Sequence, residues 1–196
     1  MEKIRSILQA SIHTKQLILN DETLLEQIYR SAHCITHSFQ QKNRLYLCGN
    51  GGSAADAQHL AAEFSGRFYS DRKALPAEAL HANTSYLTAV ANDYGYDQVY
   101  ARLIDGITEP GDVLIGLSTS GNAPNVVKAF ESARRLGVTT IGFTGLEGGK
   151  MKMLSDYWIG IPSSDTPRIQ EAHITVGHII CQLVEESYFQ PKGPTK

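Results

Sequence analysis

RLYLCGNGGS, residues 44–53, changes character halfway. The run from Arg44 to Cys48 is short and apolar, as a buried strand is, and Gly49-Asn50-Gly51-Gly52 has the composition of a tight loop. A helical pattern begins at Ser53, so the stretch reads strand, loop, helix. The same order returns further on. Asp112 to Leu117 is a strand, Ser118 to Asn122 a polar loop, and Pro124 to Leu136 a helix that Pro124 can open and Gly137 can close. Val138 to Phe143 and Tyr157 to Ile161 add two apolar strands, and Glu78 to His81 supplies a less apolar fifth. Helical stretches at Ser85 to Ala91 and Asp97 to Ile107 fall between them. Strands that alternate with helices need crossover connections, and those make the strands parallel with helices on both faces. The expected fold is α/β, a three-layer, doubly wound, five-stranded parallel sheet.

Outward from this core, Ile4, Ile7, Leu8 and Ile12, then Leu24, Leu25, Ile28, Ala32 and Ile35, recur at helical spacing. They predict two N-terminal helices broken near Asn20 and Asp21. A last long helix is expected from Thr166 as N-cap and Pro167 as first helical residue, through Ile174, Ile180, Leu183 and Val184, to about Tyr188. With two prolines and a glycine, Gln190 to Lys196 should fray. No linker divides the chain, so one domain is expected over 1–196: helices over 1–42, α/β core over 43–189, tail over 190–196.

Bulk composition narrows the function. Of 196 residues, 42% are hydrophobic and 19% charged, an ordinary globular balance. A net charge of -2 offers no basic excess against a nucleic-acid backbone, so no nucleic-acid partner is expected. No apolar run approaches the roughly 20 residues that span a bilayer, so no membrane partner is expected either. The N-terminus has the polar interruptions that a signal peptide lacks. Cys34, Cys48 and Cys181 are odd in number, widely spaced and free of CxxC pairs. The expected location is the cytoplasm.

In an open parallel sheet, ligands collect at the carboxyl ends of the strands, where the next helices point their positive N-termini. Both Gly/Ser loops belong there. Gly49 to Ser53 can bring main-chain amides close to an anion, and Ser118, Thr119 and Ser120 add hydroxyl donors just before a helix. Neither loop has the GxxxxGK[ST] or GxGxxG pattern. Each alone is equally a strand-to-helix turn; their shared edge points to a phosphorylated ligand.

His59 and Glu63, four apart on one helix face, have spacing that suits a metal but also a half-exposed histidine beside a surface glutamate. Ser53-x-x-Asp56 reads as a capping box. Gln170 and His178 can share a side of the last helix, yet Glu171 lies closer to His178 in angle, and spacing leaves open which of the two faces inward. Asn92 and Asp93, before Gly95, fit either a helix C-cap or ligands for sugar hydroxyls. No G-x-S-x-G elbow surrounds Ser53 or Ser120, and Cys48 inside a strand reads as packing.

CGNGGSAADAQHLAAEFSGRF, AVANDYG, GLSTSGN and RIQEAHITVGH together resemble the SIS-domain phosphoheptose isomerases over nearly the whole chain. The resemblance implies a flavodoxin-like SIS fold and conversion of sedoheptulose 7-phosphate to D-glycero-D-manno-heptose 7-phosphate for surface glycans. It implies a homotetramer with shared active sites, in which the two N-terminal helices join a helical core. Ser118, Thr119 and Ser120 would bind phosphate. Asn50, Gly51, Gly52, Ser53, Asn92, Asp93, Glu63 and Gln170 would surround the sugar. His59, Glu63, Gln170 and His178 would hold one Zn2+ per subunit, with Glu63 and His178 catalytic. Ala123 departs from the serine that many members carry there, removing one hydroxyl from the phosphate set. Two alternatives share these loops. One is a non-catalytic SIS regulator that binds the replication initiator, which lacks counterparts of Glu63 and His178; the other is an isomerase of a different phosphosugar.

Overall fold

The computed structural model describes residues 1–189; the tail expected over 190–196 lies outside the described residues. Helices α1 (Glu2–Leu19) and α2 (Glu22–Gln40) open the chain. Asp21 caps α2 by accepting the Leu24 amide at 3.0 Å, which fixes the break at the expected place. The α/β core follows as β1 (Leu45–Gly49), α3 (Gly52–Ser65), β2 (Ala77–Ala79), α4 (Thr84–Tyr94), α5 (Val99–Ile107) and β3 (Val113–Leu117). Next come α6 (Pro124–Arg135), β4 (Thr139–Thr144), α7 (Gly149–Leu154), β5 (Tyr157–Gly160) and α8 (Thr166–Phe189).

All five strands are parallel, in the order β2-β1-β3-β4-β5. Strands β1 and β3 are fully buried, as sheet strands covered on both faces must be. One apolar cluster joins α2, α3 and α8 to one sheet face through Ile35, Leu60, Phe64 and Val176. A second joins α4, α5 and α6 to the other through Tyr46, Tyr100 and Phe130. The result is the three-layer, doubly wound arrangement expected from the alternation of strands and helices.

Four local readings need correction. A 3₁₀ turn at Tyr96–Gln98 precedes α5, where a continuous helix from Asp97 was expected. The short α7 was not anticipated, because six residues carry too little periodicity to read. Helix α8 already includes Thr166, and the Asp165 carbonyl accepts the Ile169 amide at 2.9 Å, so the start falls one residue earlier than the Thr166 cap. Finally, α3 has no capping box. Gly51 at φ 55° precedes its first turn without a side-chain cap, and Asp56 Oδ2 is buried with no hydrogen-bond partner.

The chain leaves β1 toward β2 but leaves β3 toward β4, so the winding reverses between β1 and β3. Gly49 pairs with Leu117 across that boundary, which starts the loops at Asn50 and Ser118 side by side. A crevice at such a reversal is where this architecture holds ligands.

Candidate active site

The first loop is shaped by its glycines. The positive φ of Gly51 costs a side-chain-bearing residue energy, and a Cβ on Gly52 would stand 2.6 Å from Gln170 Nε2. Gly52 therefore lets the Gln170 amide lie directly against this loop. It also settles the question left open by spacing: Gln170 faces the loop. Glu171 turns away to Arg168, whose Nε donates to it at 2.8 Å, with Ser11 of α1 also donating. Burial would raise the Glu171 carboxyl pKa, but these hydrogen bonds and the Arg168 charge outweigh it and hold the pKa low.

The second loop presents its hydroxyls unequally: Ser118 is buried, Thr119 half-buried and Ser120 exposed. Ser120 Oγ accepts the Asn122 amide at 3.2 Å. A cleft of about 320 Å³ opens beside it, lined on the far side by Ser163, Ser164 and Thr166. Sequence marks Thr166 only as a helix cap and does not mark Ser163 or Ser164 at all, because the loop after β5 has no glycine signature. Asn92 and Asp93 are exposed in the last turn of α4, hydrogen-bonded to each other at 2.8 Å. Gly95, not either of them, takes the C-cap position. Tyr96 follows directly, and its hydroxyl donates to Asn50 Oδ1 at 3.3 Å, so this end of α4 adjoins the first loop.

Helices α3 and α8 run side by side, and two turns beyond the glycine loop they bring a second group together. His59 Nε2 lies 2.9 Å from His178 Nε2 and 3.2 Å from Glu63 Oε1. The three ligand atoms all fall within 4.8 Å of one another. Thus the surface-pair reading of His59 and Glu63 gives way to a cluster with a third member from α8. Two imidazole nitrogens and one carboxylate oxygen form a donor set that suits zinc. Tetrahedral zinc with nitrogens at about 2.0–2.1 Å separates them by roughly 3.3 Å. Small ring rotations supply the difference, so the residues fit the ion. Gln170 lies eight residues before His178, roughly 12 Å along the helix axis, and its amide rests against Gly52.

Arg72 and Glu185 hold the cluster in place, and neither was foreseen. Glu185 Oε1 accepts the Tyr69 and Ser70 amides at 3.0 and 2.9 Å, and its Oε2 accepts Arg72 Nε at 2.7 Å. Arg72 in turn donates to the carbonyls of Glu63 and Phe64 at 2.7 and 2.8 Å, closing the C-terminal end of α3. Burial opposes the charge on Glu185, yet Arg72 and the loop amides overcome it and keep its pKa low. The loop they pin carries Phe68, whose ring centroid lies 5.7 Å from that of His178. Of the other titratable groups, Cys48 is fully buried and its thiol pKa is pushed far up, consistent with packing. Burial lowers the His173 pKa to about 4, and its Nε2–H donates to the Thr144 carbonyl at 3.1 Å.

This architecture, with two polar loops at the winding reversal, is that of a sugar-phosphate-binding SIS protein, and the SIS domain family model matches residues 13–145. The chain is 51% identical to the phosphoheptose isomerase of Aneurinibacillus thermoaerophilus over 96% of both chains. It is 48% identical to that of Clostridium acetobutylicum over the same shares. Among solved structures, the phosphoheptose isomerase of Neisseria gonorrhoeae superposes with a TM-score of 0.89 at 37% identity, covering 94% of this chain and 98% of that one. The chain belongs to the phosphoheptose isomerase family of SIS-domain proteins.

Proposed function

We propose that this protein interconverts D-sedoheptulose 7-phosphate and D-glycero-D-manno-heptose 7-phosphate, supplying heptose for surface glycans. The observation that carries the reading is the convergence of His59, Glu63 and His178 at 4.8 Å or less, on the same two helices that flank the glycine loop. A regulator that only binds sugar phosphate has no need of a carboxylate and two imidazoles in contact.

The phosphate is taken by Ser118, Thr119 and Ser120, with main-chain amides of the Gly51–Ser53 turn and the N-terminus of α3 nearby. Asn50, Asn92, Asp93 and Gln170 receive the sugar hydroxyls. The carbonyl end of the bound sugar lies at the cluster. Glu63 takes the proton from C1, and the electrons of that C–H bond form the C1–C2 double bond as the C2 carbonyl oxygen gains a proton. The enediol then loses its O1 proton and regains one at C2, leaving the aldehyde at C1. His178 moves the oxygen-bound protons. His59, Glu63 and His178, with Gln170 as a fourth ligand, would hold Zn2+, one per subunit, which when bound polarises the carbonyl and hydroxyl oxygens.

The protein is placed in the cytoplasm, where its three free thiols stay reduced. Among the described residues no helix is long and apolar enough to cross a membrane.

A turnover assay with sedoheptulose 7-phosphate beside pentulose and hexulose phosphates tests the reading. The heptulose phosphate is expected to be isomerised with the highest kcat/KM. Preference for a shorter sugar would move the assignment to a different phosphosugar, and no turnover of any would remove the enzyme reading.

A further inference from the structure

We infer that Asn125 and Tyr96 are positioning residues that fix which face of the Asn50 amide meets the substrate. The inference rests on the reading above, in which Asn50 contacts the sugar. Asn125 sits at the start of α6, is 2% exposed, and points back across the winding reversal. Its Nδ2 donates to Asn50 Oδ1 at 2.8 Å and its Oδ1 accepts Asn50 Nδ2 at 2.8 Å, a reciprocal amide pair. The same Oδ1 accepts the Val126 amide at 3.0 Å, which dictates that the oxygen of Asn125, not its nitrogen, faces that side. The Tyr96 hydroxyl adds a second donor to Asn50 Oδ1 at 3.3 Å.

The consequences for Asn50 follow from donor counting. Its Oδ1 receives two hydrogen bonds and its Nδ2 spends one hydrogen on Asn125, so one N–H of Nδ2 remains for a ligand. Asn50 is thereby preset as a donor toward a substrate hydroxyl or carbonyl oxygen; without its partners the amide could turn over and present an acceptor. The backbone before it is fixed as well, since the buried Tyr100 hydroxyl donates to the Gly49 carbonyl at 2.6 Å. The pair thus ties the β1 loop to the helix that follows the β3 loop, holding the sugar and phosphate sides of the crevice in register.

The test compares steady-state isomerisation of sedoheptulose 7-phosphate, and its binding by calorimetry, in wild type, Tyr96→Phe and Asn125→Asp. Tyr96 is half-exposed and its phenyl analogue keeps the fold, so Tyr96→Phe should raise KM and Kd several-fold with kcat little changed. In Asn125→Asp the ionised carboxylate still accepts from Asn50 Nδ2 and Val126 but cannot donate to Asn50 Oδ1. Its KM should rise at least tenfold at neutral pH and fall back toward wild type as acid protonates the introduced carboxyl and restores the donor. A purely structural role predicts a lower melting temperature with a pH-independent KM ratio, and that result overturns the inference. So does wild-type affinity in both variants. Wild type that binds the sugar phosphate without turning it over removes the isomerase reading alone, because the calorimetric comparison still decides the role of Asn125. Wild type that neither binds nor turns it over removes both.

Discussion

At the residue scale the site depends on three side chains whose chemistry changes with their neighbours. His59 and Glu63 were visible as an i,i+4 pair, and their spacing alone fitted a surface ion pair as well as a metal site. What decides between those is His178, 119 positions away in sequence and 2.9 Å away in space. Two Nε2 atoms that close need a shared proton or a shared ion, and the adjacent carboxylate favours the ion. Zinc titration followed by elemental analysis should give about one bound ion per chain in wild type, while His59→Ala should lose most of it without unfolding, since His59 is half-exposed. Equal zinc in both proteins would remove His59 from the ligand set.

Other residues could not be read in advance. Glu185 lies in no motif, and only the fold shows it collecting Arg72 and the amides of a loop from residues 68–70. Asn125, next to the helix-opening Pro124, carries no sequence signal that sets it apart from any first-turn residue. Asp56 has the spacing of a cap but does not act as one. Because Gly51 and Gly52 carry α3 into its first turn through main-chain geometry, the carboxylate has no free amide to accept from. Burial raises its pKa instead.

Among the elements, α3 and α8 matter most. They lie side by side, so residues at matching heights meet: Gly52 with Gln170 near one end, His59 with His178 two turns on. Four of the five strands and their parallel arrangement are legible because each is a short apolar run between helices, whereas the fifth, read over Glu78–His81, lies at Ala77–Ala79, and the order of the strands comes from the structure. The short α7 and the exact start of α8 were not, since end geometry depends on a few hydrogen bonds that periodicity does not record. The contact at Gly52 gives a clean prediction. In Gly52→Ala the new methyl meets the mobile end of Gln170 and no backbone atom, so Gln170 yields. The melting temperature should change by only a few degrees, whereas KM for the sugar phosphate should rise about tenfold, the loss of one polar contact of about 1.4 kcal/mol. A steep fall in stability with unchanged KM would show that the glycine serves packing only.

For the whole molecule, α1 presents a face that the single chain leaves uncovered. Ile4, Ile7, Leu8 and Ile12 are 56%, 43%, 58% and 55% exposed, a stripe at helical spacing whose exposure is costly in water. Arg168 Nη1 reaches the Ile7 carbonyl at 3.4 Å, so this helix is also tied to the first turn of α8. We propose that α1 and α2 form the core of a homotetramer and that the active sites are completed there. Light scattering should give a mass about four times the 21.5 kDa of one chain. Leu8→Glu should break the assembly and lower kcat/KM by at least tenfold, because a charge in an apolar interface is left unpaired. A fully active monomer would refute shared sites.

In the proposed reaction Glu63 removes a carbon-bound proton from a sugar whose phosphate is anchored at the Ser118 loop. The direct measurement is exchange of substrate C–H for solvent deuterium, followed by NMR in wild type and Glu63→Gln at saturating sedoheptulose 7-phosphate. Wild type should incorporate deuterium at C1 of the heptulose phosphate and at C2 of the aldose product, and Glu63→Gln should slow that incorporation by about 10²–10⁴-fold while the sugar phosphate still binds. Exchange at the wild-type rate in Glu63→Gln would contradict the account.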